Sequence, residues 1–236
     1  MRDRSAARVD AYYHPFRRWF RVAAHPLADG GLTVAFRDTT ADERRRFLAD
    51  LAAATQPLAD PDAVTAAAAR MLADHLGADR CAYAEVEDES VYVITGDHCR
   101  GVPSIVGRWD VAAFGAEHHR LMRANQPYVV ADADADPRVG PADRPAYRAA
   151  GILAVVCVPL HKGGRFTAAM AVHQATPRAW TDDEVALVRE VVGRCWEALE
   201  RARAVRRLRD REAQQRLVFD AVPALISYVD ADRRYR

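Results

Sequence analysis

The chain has very little lysine: one residue, Lys162, among 236, against many arginines, alanines and aspartates. That bias points to a GC-rich bacterial genome. It also has almost no net charge, with 34 basic and 33 acidic residues. It therefore lacks the clustered basic excess of a nucleic-acid surface. No apolar run approaches the ~20 residues of a membrane span. The N-terminal "MRDRSAARVD" has no apolar core of the kind a secretion signal needs. Together these absences argue against nucleic-acid and membrane contacts and place the chain in the cytoplasm. Cysteine is sparse. Cys81, Cys99, Cys157 and Cys195 stand far apart, with no Cys-x-x-Cys pair, and read as reduced, mostly buried thiols. There is no Gly-x-Ser-x-Gly, Walker loop or His-Glu-x-x-His. Nor is there a phosphoacceptor histidine box, a kinase glycine box or a cyclase signature, so no catalysis is expected within this chain.

What the chain does have is apolar residues at half its positions, enough for a core in one or two domains. Trp19 to Ala24 and Leu32 to Phe36 alternate like strands about the turn Asp29-Gly30-Gly31. Thr40 and Glu43 then fit a capping box that opens a helix. Asp60-Pro61 starts a second helix carrying Val64, Ala68, Met71, Leu72 and Leu76 on one face, and Gly77 suits its end. "DRCAYAEV" (79–86) and Val91 to Ile94 alternate as strands. A helix over "FGAEHHRLMRAN", a short strand at "PYVVAD" and a helical piece "RPAYRAAG" follow. "ILAVVCVPLHKGGRFTAAMAVHQ" reads as a long hairpin about Gly163-Gly164. Thr181 and Glu184 form a second capping box. Beyond it, Val185, Val188, Val192, Cys195, Leu199 and Ala202 follow a heptad seam, and Val205 and Leu208 shift its phase.

This order of elements is α+β: an antiparallel sheet sandwiched between helices, with a long C-terminal linker helix. Residues 60–204 resemble a GAF domain throughout. The resemblance is carried by "DRCAYAEV", "AAGILAVVCVPLHKGGRFTAAMAVHQ" and "PRAWTDDEVALVREVV". The Val-Pro-Leu strand, the His-Gln pair and Pro-Arg-x-Trp are similar to the branch that includes phytochrome-like photosensors. Residues 1–47, with Asp38-Thr39-Thr40, resemble the C-terminal hairpin of a PAS domain and its exit motif. Residues 205–221 are expected to be a linker helix. Residues 222–236, "VPALISYVDADRRYR", resemble the start of a second PAS domain. The expectation is a piece of a longer chain ordered PAS, GAF, PAS, as in bacterial sensor histidine kinases.

The resemblance implies a small-ligand pocket between the sheet and the helical insert, with Trp109, Phe114, His119, Tyr147 and His173 as candidate lining residues. The ligand is unknown. For each residue, plain core packing competes with a binding role. Covalent bilin attachment is not expected, because the position that carries the cysteine in that branch is Ala142 or Asp143 here. "DADADPR" looks like part of a calcium loop, but Pro137 and Asp143 occupy positions needing Gly and Glu. His118 and His119 are adjacent, so on a helix they cannot share a metal. No metal site is expected. Cys81, Tyr83 and Glu85 share one strand face and Ala82 and Ala84 the other; either set could face the pocket. The implied function is a sensory input that relays through a homodimer of C-terminal helices. A ligand-free dimerising spacer is the alternative, and a bilin photosensor the third reading.

Overall fold

The computed structural model describes residues 6–221, apart from 14 and 17. The expected start of a second PAS domain, at 222–236, lies outside the described residues.

Strands β1 (Ala7–Tyr13), β2 (Arg18–Pro26) and β3 (Leu32–Asp38) form an antiparallel meander. β1 adds a strand to the expected hairpin, and its signal is the alternation of Ala7, Val9 and Ala11 with Arg8 and Asp10. The first capping box does not form. The Thr40 hydroxyl instead accepts the Trp19 backbone N–H at 3.1 Å, and Asp38 accepts the Thr40 N–H at 2.9 Å. Glu43 pairs with Arg46. The neighbouring strand thus offers Thr40 a donor that competes with the helix's own N–H groups.

Helices α1 (Thr40–Thr55) and α2 (Pro61–Leu76) follow. Gly77 takes the left-handed conformation (φ 61°) that closes α2, as its sequence position suggested. The larger sheet runs in the order β7 (Gly107–Asp110), β5 (Val91–Ile94), β4 (Arg80–Glu87), β10 (Arg165–Gln174), β9 (Ala154–Lys162), β8 (Tyr128–Val130), and β6 (Asp97–Cys99) also pairs with β4. An insert of a 3-10 turn (Val111–Phe114), α3 (Ala116–Arg123) and α4 (Arg144–Ala149) covers one face. Helices α1, α2 and α5 (Asp182–Ala221) cover the other.

Register settles which face is which. Tyr83 lies opposite Met170, which lies opposite Val158, and all three sit in the core beneath the long helices. Ala82, Ala171 and Cys157 form a cross-strand row facing the insert, as do Ala84, Ala169 and Pro159. The small residues therefore floor the insert side, and Cys81 and Tyr83 serve the helix side.

The second capping box does form. The Thr181 N–H donates to Glu184 at 2.7 Å, and the Glu184 N–H donates to the Thr181 hydroxyl at 3.2 Å. Of the heptad seam, Val188, Val192, Cys195, Leu199 and Ala202 are buried in the chain's own core against the sheet and α2. These residues are therefore unavailable to a partner helix. From Ala204 to Leu217 the helix is exposed, with Leu208 and Leu217 at 60% and 70%. Arg203, at the point of exit, pairs with Glu85 of β4 and with Glu200. Among the described residues no helix is long and apolar enough to cross a membrane.

Candidate functional site

Between the alanine rows and the insert lies a small, partly open cavity of about 40 Å³. That is room for about three waters, since one needs ~10–15 Å³. Ala82, Ala84, Ala169 and Ala171 floor it, and Tyr92, Phe114, His118, Tyr128 and Tyr147 supply aromatic walls. The rings meet edge to face: Tyr92 and Phe114 at 5.7 Å, His118 and Tyr128 at 5.1 Å. Tyr147 donates its hydroxyl hydrogen bond to the Phe114 carbonyl at 2.8 Å, tying α4 to the 3-10 turn.

One end of the cavity is built on a buried cation. Arg80 is fully buried, and it can only donate. Its Nε reaches the Pro103 carbonyl at 3.1 Å, one Nη reaches the Ala150 carbonyl at 2.5 Å, and the other reaches His173 Nδ1 at 3.2 Å. His173 Nδ1 must therefore accept, which leaves the ring proton on Nε2. The Asp97 carboxylate stands 3.9 Å from Arg80 Nε and also holds the Ile105 N–H and the Ser104 hydroxyl. Burial, and then the Arg80 charge, push His173 down to about 3. Burial pushes His118 down to about 4, against the opposing influence of the Val111 backbone. His118 Nε2 lies 3.4 Å from the Tyr92 hydroxyl, and its Nδ1 is buried with no hydrogen-bond partner. Both imidazoles are neutral at ordinary pH. Burial pushes the Cys157 thiol up to about 12, so it stays protonated, with its sulfur 3.8 Å from that of Met122.

Of the residues singled out in the sequence, the structure brings Phe114, Tyr147 and His173 to the cavity. Trp109 stays at the rim, 40% exposed, donating to the Ile105 carbonyl at 2.8 Å behind Phe114. His119 does not line the cavity; its neighbour His118 does. The reason is helical phase: α3 buries His118, Leu121 and Met122, spaced three and four apart. That spacing was the available signal. Tyr92 and Tyr128 could not be found that way, since each sits in a short strand that reads only as core. Asp132 and Asp136, in the Asp-rich stretch, accept the backbone N–H groups of Asp134 and Arg138 at 3.0 and 2.9 Å, as turn residues do. Among the described residues no cluster could hold a metal ion.

A family model for the GAF domain matches residues 60–199, the whole of this sheet with α2, the insert and the first part of α5. The chain belongs to the GAF family. It thus carries a sensory, ligand-binding module of signalling proteins, a kind of domain that is generally non-catalytic. No curated protein matches the chain. Among solved structures, this GAF fold is similar to the phycoerythrobilin-bound GAF domain of a cyanobacterial phytochrome, with 16% identity and a TM-score of 0.58 over 69% of this chain and 97% of that one. It is similar to free methionine-R-sulfoxide reductase from Neisseria meningitidis, solved with its substrate, with 16% identity and a TM-score of 0.55 over 69% and 91%. It is also similar to the GAF domain of a phosphoenolpyruvate-protein phosphotransferase from Coxiella burnetii, with 18% identity and a TM-score of 0.55 over 68% and 95%. At these identities the likeness is one of fold.

Proposed function

We propose that this GAF domain is a small-ligand input module whose cavity is coupled to the helix that leaves it. The observation that carries this reading is the double duty of β4. On one face its Ala82 and Ala84 floor the cavity; on the other its Glu85 holds Arg203, where α5 leaves the body. A ligand that favours one packing of insert on sheet would bias the position of that strand, and so of the helix. The cavity is apolar, with neutral imidazoles and tyrosine hydroxyls converging on it, which suits an uncharged, hydrogen-bonding ligand. Bilin-bound and substrate-bound relatives of the same fold support reading it as a ligand holder.

At about 40 Å³ the cavity is far smaller than the ~150 Å³ that holds benzene. Anything beyond a few atoms must displace the insert, and a bilin would also lack an ionised thiol to attach to. That volume favours a second reading, a ligand-free spacer between other domains. In either case we place the module in a longer bacterial signalling chain of the cytoplasm, with a histidine kinase as output and PAS domains on each side. It would act there as a homodimer through the part of α5 beyond Ala202.

Gentle native mass spectrometry of the purified chain tests the proposal. A bound mass that disappears in Ala84→Val, which fills the cavity floor, supports the sensor. A bare protein that takes up no compound from a library of small neutral heterocycles leaves the spacer.

A further inference from the structure

The polar groups around the cavity are not equivalent, and their protons tell them apart. Arg80 has only donors, so the His173 Nδ1 that it meets at 3.2 Å is an acceptor, and the ring hydrogen sits on Nε2. Among the described residues nothing accepts that hydrogen. Ala169, Ala171 and His173 alternate onto one face of β10, so the imidazole shares the face of the alanine floor, and it lines the cavity. The other polar groups are already engaged. The Tyr147 hydroxyl donates to the Phe114 carbonyl at 2.8 Å, and the Tyr128 hydroxyl stands 3.5 Å from its oxygen. The Tyr92 hydroxyl and His118 Nε2 face each other at 3.4 Å. His118 Nδ1 has no partner, but it is closed off from any molecule the size of water. Among the described residues the cavity therefore presents one open donor, His173 Nε2–H, within apolar walls.

We infer that the ligand of this cavity is a compact neutral compound with one hydrogen-bond acceptor turned to His173 Nε2 and an apolar remainder against the alanines: a short-chain ketone, aldehyde or nitrile. The inference rests on the small-ligand reading above and narrows it. Size is the first ground. Space for about three waters takes about four non-hydrogen atoms. The cavity is partly open, so a compound of that size needs no displacement of the insert. Charge is the second. The Arg80 guanidinium is already met by the Pro103 and Ala150 carbonyls and by His173, so it offers nothing to an anion. The walls hold no ionised group to meet a cation, since both imidazoles are neutral. The third ground is the open donor. A hydrocarbon would expel water and leave a buried N–H unmet, which is costly. A ligand whose polar group only donates would set a donor against a donor. A carbonyl or nitrile satisfies the N–H and leaves its carbons to the apolar walls.

Acetone and 2-methylpropene test it. The two have nearly the same shape and differ in one carbonyl oxygen. Each is titrated into the whole chain carrying nitrogen-15 histidine, and the His173 ring N–H, assigned by its loss in His173→Gln, is followed by NMR. The expected result is saturable binding in which acetone is roughly tenfold tighter or more. Acetone should also move the His173 ring proton downfield, and Ala84→Val should abolish both effects. Equal binding of the two probes, or acetone binding that leaves that proton in place, overturns the inference. So does uptake of neither probe. In that case a larger compound in the native mass spectrum would leave the input-module reading standing, whereas a bare protein would overturn both.

Discussion

Arg80 organises the site at the scale of single residues. Its charge is fully buried and met by two carbonyls and an imidazole nitrogen, with a carboxylate just outside bonding distance. Replacing it with methionine keeps much of the volume and leaves those acceptors with no donor. Arg80→Met should cost about 3 kcal/mol, read as a lower urea midpoint with an unchanged slope. The two histidines predict a pH dependence. His118 and His173 sit near 4 and 3 in the folded chain, against an ordinary 6.5. Unfolding restores the ordinary value, so below it the unfolded chain binds protons that the folded chain refuses. The histidines therefore cost no stability above pH 6.5, and stability falls as the pH drops from there towards 4, by up to about 1.4 kcal/mol per pH unit for each histidine. Thermal melts across that range should show the slope, and His118→Phe should reduce it. Little of this was legible in the sequence. Arg80 looks like any strand-edge arginine until Pro103 and Ala150, 23 and 70 residues away, are folded over it. The choice of His119 over His118 was a matter of one helical step.

Elements were far more legible, because each is set by local chemistry. Pro61, Gly77, the Thr181–Glu184 box and the Gly163-Gly164 hairpin all end or begin structure where their residue types require it. The Thr40 box failed for a reason that sequence spacing does not contain: a strand 21 residues earlier offered a better partner. The apolar stripe of α5 reads in the sequence as the heptad seam of a helix pair, but periodicity does not say what covers such a stripe. A helix lying on its own sheet and a helix in a coiled coil show the same spacing, and here the sheet takes the seam up to Ala202. Residues 187–202 are therefore packed and residues 204–217 are not. In a single, undimerised chain, amide hydrogen exchange should divide the helix at Arg203, slow before it and near the rate of an isolated helix after it. Uniform protection to Leu217 would mean that the exposed stretch is covered in solution, as a homodimer through it requires.

For the whole molecule, the sheet separates two cores with different contents. The helix side is densely apolar, with Val, Leu and Met from five elements. The insert side holds the cavity's tyrosines, Phe114, His118 and His173. Mixed α+β composition and the order of elements made this division readable in advance, while the direction of β4 needed the register. Beyond the sheet, the helix from Arg203 to Ala221 runs on for about 28 Å at 1.5 Å per residue. Among the described residues its last anchor is the Glu85 pair. That makes it a lever with its fulcrum at the domain surface. A tilt of ~5° there, well within the scatter of ordinary helix packing, carries the far end ~2.5 Å. A displacement too small to resolve at the cavity floor would arrive, at the other end, as a shift of more than one residue's rise.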